Sequence, residues 1–214
     1  MLQDAKLCNG VWLPAHEIHF QEVLEQITRT GKTGLYPSLA SATPLVTDWR
    51  RCIDVGAHVG LWSRWLVRLF DKVEAFEPLK EHADLYEKNV PHGKWSMHRV
   101  ALGSHPGKVA LKTFDGDSGR AHINGPGDIE MRTLDSYAFT GVGLIKIDVE
   151  GYELQVVTGA TRTILDNRPI VVLEQRGCDV DNFGAPRDLA LAHLVELGMY
   201  PIQKVDSDWI LGWV

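Results

Sequence analysis

The chain has 214 residues, 44% of them hydrophobic and 23% charged, enough for one well-cored α/β domain and too few for two ordinary ones. Its formal net charge is -6 and its densest basic cluster is only Arg50-Arg51, so no surface that tracks nucleic-acid phosphates is expected. Three isolated cysteines (Cys8, Cys52, Cys178), no membrane-length apolar run and no signal-peptide pattern beside Asp4 and Lys6 lead us to expect a reduced, cytoplasmic protein without membrane contact.

Residues 1–49 read as an accessory helical and loop segment ahead of a core at 50–214. Within 16–27, Phe20, Val23, Leu24 and Ile27 recur at helical spacing. The stretch after it holds Gly31, Gly34, Pro37 and Pro44 and reads as loop with at most a short helix. Trp12 and Trp49 are expected to pack this segment onto the core. From Arg51 apolar runs alternate with amphipathic ones, the pattern of a mostly parallel sheet with helices on both faces. Strands are expected near 51–55, 72–77, 95–101, 143–148 and 169–174, and helices near 60–70, 79–89, 151–165 and 186–197. Trp62, Trp65, Leu66 and Leu69 fall at helical spacing, which assigns the two tryptophans to the core. Between Val100 and Leu134 the alternation breaks. Two short β-like runs, Lys108 to Phe114 and Arg120 to Asn124, flank Asp115-Gly116-Asp117-Ser118-Gly119, so an inserted hairpin or flap is expected. Asp115 and Asp117 lack the remaining ligands of a calcium loop and read as turn acids. Tyr200 to Lys204 and Trp209 to Val214 read as two closing strands joined by Asp206-Ser207-Asp208.

The stretch Cys52-Ile53-Asp54-Val55-Gly56-Ala57-His58-Val59-Gly60 carries the most chemistry. A strand ends on an acid, two glycines frame a tight turn, and a helix follows, as at the nucleotide corner of a doubly wound domain. The spacing Asp-x-Gly-x-x-x-Gly is not the Gly-x-Gly-x-x-Gly that sets a helix N-terminus against a pyrophosphate. Asp54 is expected to turn its carboxylate toward a ligand with positive charge or hydroxyls. S-adenosylmethionine offers an amino group, a sulfonium and a ribose diol. The next strand ends at Glu77-Pro78, where such folds carry a ribose-binding acid. Farther on, Asp148 and Glu150 stand two apart, so both face one crevice if the strand persists to Gly151. The alternative makes Glu150 an acid that stabilises the following helix through its dipole.

These pieces, in order, resemble the FkbM-type S-adenosylmethionine-dependent methyltransferases. The match runs through Ile53 to Gly60, Ala75-Phe76-Glu77-Pro78, Val100-Ala101-Leu102-Gly103, Thr133-Leu134-Asp135-Ser136, Ile145 to Glu153, Gly159-Ala160, Arg168-Pro169 and Leu173-Glu174. The resemblance implies a doubly wound, mostly parallel seven-stranded class I methyltransferase sheet of Rossmann-like type, with the last two strands as its antiparallel pair. It implies S-adenosyl-L-methionine held by Asp54, Gly56, Ala57, His58, Gly60, Glu77, Pro78, Ala101, Leu102 and Asp148. The family usually has Asn where this chain has His58, so the backbone N–H of His58 is the expected contact.

For the chemistry, Asp148, Glu150 and Glu174 are the expected catalytic residues, at neighbouring strand ends, with Gln175 and Arg176 following. The expected reaction is O-methylation of a hydroxyl on a small molecule or sugar, with the flap governing acceptor access. A magnesium-assisted version would use the same three carboxylates, but no motif requires it and no metal is expected. Two other readings stand beside this one. A nicotinamide-dependent oxidoreductase shares the fold but needs the Gly-x-Gly-x-x-Gly turn, and a non-catalytic module would bind S-adenosylmethionine without turning it over.

Overall fold

A computed structural model describes residues 5–30, 37–175, 184, 186 and 188–214; Gly31, Gly34, Arg176 and Cys178 lie outside the described residues. Seven strands form the central sheet: β1 (Arg51–Val55), β2 (Lys72–Phe76), β3 (Trp95–His98), β4 (Val142–Ile147), β5 (Ile170–Glu174), β6 (Tyr200–Val205) and β7 (Asp208–Gly212). Their order is β6-β7-β5-β4-β1-β2-β3. The pairs from β3 to β5 are all parallel, and β7 runs antiparallel to both of its neighbours, which makes the sheet mixed. Every residue of β4 and β5 is buried, as a strand covered on both faces requires.

Alternate side chains feed two cores. Before β1 come α1 (His19–Thr30) and α2 (Pro37–Ala42); α3 (Ser63–Leu69) and α4 (Lys80–Asn89) follow β1 and β2. Cys52, Val73 and Leu144 pack with Leu39 of α2, Leu66 of α3 and Tyr86 of α4. Opposite them, Ile53, Ile145 and Val171 pack with residues of α5 (Glu153–Thr158), α6 (Thr161–Asn167) and α7 (Leu189–Glu196), among them Val157, Ile164 and Leu194. Each face of the sheet therefore has its own helical cover. Among the described residues no helix is long and apolar enough to cross a membrane.

Three local features depart from the sequence reading. The expected helix over 151–165 is two helices. At Gly159 the chain passes so close to the backbone of Gly103 that a Cβ would stand 2.0 Å from its carbonyl oxygen. Restarted there, α6 is capped from outside: Asp135 accepts the N–H groups of Arg162 (3.0 Å) and Thr163 (2.7 Å). Second, the N-terminal segment holds a hairpin, Ala5–Cys8 against Val11–Pro14, with Asn9 and Gly10 both at positive φ as a type I′ turn requires. It docks on α4, where the Asn89 side chain bonds both backbone groups of Trp12. Trp49 packs on Phe70 with ring centroids 4.9 Å apart. Third, the strand expected over 95–101 stops at His98. Ala101–Leu102 joins a small separate sheet with Gly107–Val109 and Ile129–Arg132. Beside it, Leu111–Lys112 pairs antiparallel with His122–Ile123, which is the inserted hairpin.

Candidate functional site

Strand order changes direction between β1 and β4, and the crevice beyond their carboxyl ends is where open α/β sheets bind ligands. A cavity of about 300 Å³ opens there. Gly56, Ala57, His58, Glu77, Pro78, Ala101, Leu102, Asp148, Glu150 and Glu174 all line it. The structure thus brings ten of the residues named from sequence to one place.

The glycine corner is built for the protein's own backbone. Gly56 sits at φ +74, and a Cβ on it would lie 1.8 Å from the carbonyl oxygen of Asp148. Its N–H and that of Ala57 both donate to the carbonyl of Phe76, at 3.1 and 3.0 Å. The N–H of His58, the expected ligand contact, instead donates to Glu77 Oε2 at 3.0 Å. A pyrophosphate cradle needs such N–H groups turned outward; here they are committed inward.

Two cofactor residues expected from sequence do not line the cavity. Gly60, at φ +87, lies against α4, where a Cβ would meet Val90 Cγ2 at 2.5 Å and Tyr86 Cδ2 at 2.9 Å. Asp54 is wholly buried beneath the corner. It accepts the Ser63 hydroxyl at 2.6 Å, and its other oxygen lies 3.7 Å from Lys146 Nζ. Lys146 also donates to the Gly56 carbonyl at 3.1 Å and stands 3.2 Å from Asp148 Oδ2. Burial alone would push the Lys146 ammonium down, but Asp148 and Asp54 overcome it and hold it above its ordinary range. For Asp54 burial dominates and raises the carboxyl, against the pull of Lys146 and Ser63. Asp54 therefore acts through Lys146, which ties the floor of the site to the β4 acid at its surface.

Glu77 is held from two sides, by His58 N–H on Oε2 and by Leu79 N–H on Oε1 at 2.9 Å, with His82 Nδ1 3.6 Å away. His58 takes φ +49, and burial, helped by His82, depresses its ring well below the ordinary histidine value, so it is neutral at physiological pH.

The oxygens of Asp148, Glu150 and Glu174 lie within 4.8 Å of one another. Strand alternation is not what brings them together, because β4 ends at Ile147 and the chain turns through Glu150 at φ +54 and Gly151 at φ +100. Glu153, the first residue of α5, turns back to accept the N–H groups of Gly151 (2.9 Å) and Val149 (3.3 Å) in the turn before the helix. The spacing of the three carboxylates is one a divalent cation accepts, although Lys146 already places a positive charge beside Asp148.

Other lining residues were not foreseen: Lys146, His82, Phe20, Ser118 and, from the β6–β7 turn, Asp206, Ser207 and Asp208. Lys146 did leave a signal, a lone cation inside the apolar run Leu144-Ile145-Lys146-Ile147, which demands a buried partner. Trp62 is both core and cavity wall. The flap lines the cavity through Leu111, Ser118 and Ile123 and packs with Ala101, on the β1–β3 side. It therefore lies on the Glu77 side, while Glu150, Glu174 and Asp208 come from the other half of the sheet.

Among solved structures the chain is similar to methyltransferase FkbM from Methylobacillus flagellatus KT, at 16% identity and a TM-score of 0.49, over 77% of this chain and 43% of that one. It is similar to a TehB-like SAM-dependent methyltransferase from Corynebacterium glutamicum ATCC 13032 Kitasato, at 10% identity and a TM-score of 0.48, over 91% and 94% of the two chains. A sugar N-methyltransferase from Streptoalloteichus sp ATCC 53650 is similar at 12% identity and a TM-score of 0.48, over 92% and 93%. No curated protein matches the chain. Residues 54–189 match the methyltransferase FkbM domain family, for which S-adenosylmethionine is the expected cofactor. That match spans well over half of the sequence, and the chain belongs to the FkbM methyltransferase domain family.

Proposed function

We propose that the chain is an S-adenosylmethionine-dependent O-methyltransferase acting on a hydroxyl of a small molecule or sugar. The observation that carries this reading is one cavity with acids at both ends and a corner whose N–H groups are turned inward. Such a cavity suits a ligand bearing hydroxyls and positive charge and offers little to a pyrophosphate, which speaks against a nicotinamide dinucleotide. The residues fit S-adenosylmethionine. Glu77, buried and held by two N–H groups, is placed to accept from a ribose diol; Leu79, Leu102 and Ile123 offer an apolar wall for an adenine; Asp148 offers a carboxylate to an ammonium. When bound, the cofactor supplies a methyl group on a positively charged sulfur.

The chain's own residues do the rest. Lys146 fixes Asp148, so that its carboxylate orients the ligand without reorganising. Glu150 and Glu174 share the far end of the cavity, where one accepts the proton of the acceptor hydroxyl and the other orients it. The acidic lining supports a polyol or amine-bearing acceptor over a nucleic acid. The strand order and two-sided helical cover support the doubly wound class I methyltransferase arrangement. Cys8 and Cys52 are free thiols, which supports a reducing, cytoplasmic setting.

Isothermal titration with S-adenosylmethionine and with NAD, followed by mass detection of methylated products from a panel of hydroxyl compounds, tests this reading. Binding of S-adenosylmethionine alone is expected. NAD binding, or no binding of S-adenosylmethionine, would overturn it.

A further inference from the structure

Behind the wall of the cavity lies a buried carboxylate that the proposed chemistry does not use, bonded to two residues that line it. Glu17, just before α1, is wholly buried and satisfied by three donors. Oε1 accepts the N–H of Phe20 at 2.9 Å, and Oε2 accepts the Ser118 N–H at 2.7 Å and the Ser118 hydroxyl in a short contact. Ser118 lies 101 residues away, in the flap. Its hydroxyl proton is directed at Glu17, so the 2.8 Å contact with His58 Nε2 has the imidazole N–H donating to Ser118 Oγ. The N–H of His58 in turn donates to Glu77. His58 thus joins the two sets, its ring bonded to the flap and its backbone N–H to the acid at the β2 end, so that the N-terminal segment, the flap and the glycine corner are tied together.

Further contacts close the same seam. The N–H groups of Ile18 and His19 donate to the Gly116 carbonyl at 3.0 and 3.1 Å. The Phe20 ring lies so close over Gly119 that a Cβ there would come within 2.7 Å of it, and it packs on the His58 ring with centroids 5.1 Å apart. Phe20, His58, Ser118 and Gly119 all face the cavity.

We propose that Glu17 is a positioning residue for the cofactor: it clasps the flap to the N-terminal segment, and this clasp sets how slowly S-adenosylmethionine leaves. The inference rests on the reading of the cavity given above. An apolar side chain would suffice if residues 17–20 merely covered the flap. A buried carboxylate is tolerated only when its donors are in place, so it selects one closed arrangement and loses its satisfaction when the flap swings away. Hydrogen bonds to an ionised acceptor are the stronger kind, which suits a seam that must hold and still open.

The test is the release of tritiated S-adenosylmethionine from the full chain, chased with S-adenosylhomocysteine, together with hydrogen exchange. Glu17→Ala is expected to speed release about tenfold or more and to raise exchange in residues 111–123 while leaving β4 protected. Ser118→Ala acts on the same clasp, so the double variant should release no faster than the faster single one. Gly119→Ala leaves Glu17 in place and wedges Phe20 away, and it should speed release in the same direction. It decides the matter if Glu17→Ala does not fold. Unchanged release in both Glu17→Ala and Gly119→Ala, with normal binding by the unsubstituted protein, would overturn the clasp alone. Additive effects of Glu17→Ala and Ser118→Ala on release would also overturn it. Failure of the unsubstituted protein to bind S-adenosylmethionine would overturn the clasp and the proposed function together.

Discussion

Lys146 governs the electrostatics of the site from below. Its ammonium stands between Asp54, wholly buried, and Asp148, partly exposed at the cavity surface. Replacing it by Met removes the cation from both, and breaking a buried pair by deleting one partner typically costs about 3–5 kcal/mol. Lys146→Met is expected to lower stability in urea by that order, and a loss below about 1 kcal/mol would mean that Asp54 is neutral in the native protein. At the surface of the same site the question is which carboxylate takes the proton. Glu150→Gln keeps the shape and hydrogen-bonding capacity of the side chain, so any stability change should stay within about 1 kcal/mol. With Glu150 as the base, it should lower turnover roughly 10²-fold or more at normal cofactor affinity. Unchanged turnover would shift the role to Glu174, where Glu174→Gln should then show the loss.

At the scale of elements, the glycine corner separates two jobs that look alike in a motif. Gly56 and Gly60 both take positive φ, yet one meets the backbone of Asp148 and the other the side chains of α4. Gly60→Ala forces a Cβ into Val90 and Tyr86 in a conformation L-residues rarely hold, so a destabilisation of about 1–3 kcal/mol is expected. Cofactor affinity of the folded fraction should stay within about twofold, whereas a selective loss of affinity at unchanged stability would return Gly60 to the binding site. Strands β4 and β5 were legible because buried parallel strands are near-continuous apolar runs, and β1 and β2 because their shorter apolar stretches run into the turns at Gly56 and Pro78. The hairpin at Asn9-Gly10 carried its turn signature, but four-residue flanks with Lys6 and Cys8 show no clean alternation. What a one-dimensional pattern lacks is the neighbour through space. Gly60 is defined by Val90 and Tyr86, the break at Gly159 by Gly103, and Glu17 by Ser118. Asp54 was read as a ligand contact because strand ends point at the crevice, and it lies below the crevice because Lys146 and Ser63 claim its oxygens.

For the molecule as a whole, the buried polar nest around Asp54 makes the alkaline limb of stability predictable in sign. Burial, with Asp54 nearby, pushes the Cys52 thiol well above its ordinary 9.0. Burial raises the Tyr86 phenol above its ordinary 10.0, against the pull of the nearby Ser63 hydroxyl. Lys146 is depressed by burial and raised further by Asp148 and Asp54, so it too ends above its ordinary 10.5. Burial also raises Tyr137 and Tyr152. In each case the folded chain keeps a proton that the unfolded chain releases. The stability these groups contribute is therefore complete below the unfolded values and is lost as pH rises from there toward the folded ones. Each group adds a slope of about 1.4 kcal/mol per pH unit once its unfolded form has deprotonated. Unfolding free energies measured in urea from pH 7 to 11 should be flat until about pH 9 and then fall with increasing steepness. Cys52→Ala removes the first contribution and leaves the burial that raises the others in place, so its decline should begin nearer pH 10. Identical slopes for Cys52→Ala and the unsubstituted chain between pH 9 and 10 would show that the thiol ionises as readily folded as unfolded, contrary to its burial beside Asp54.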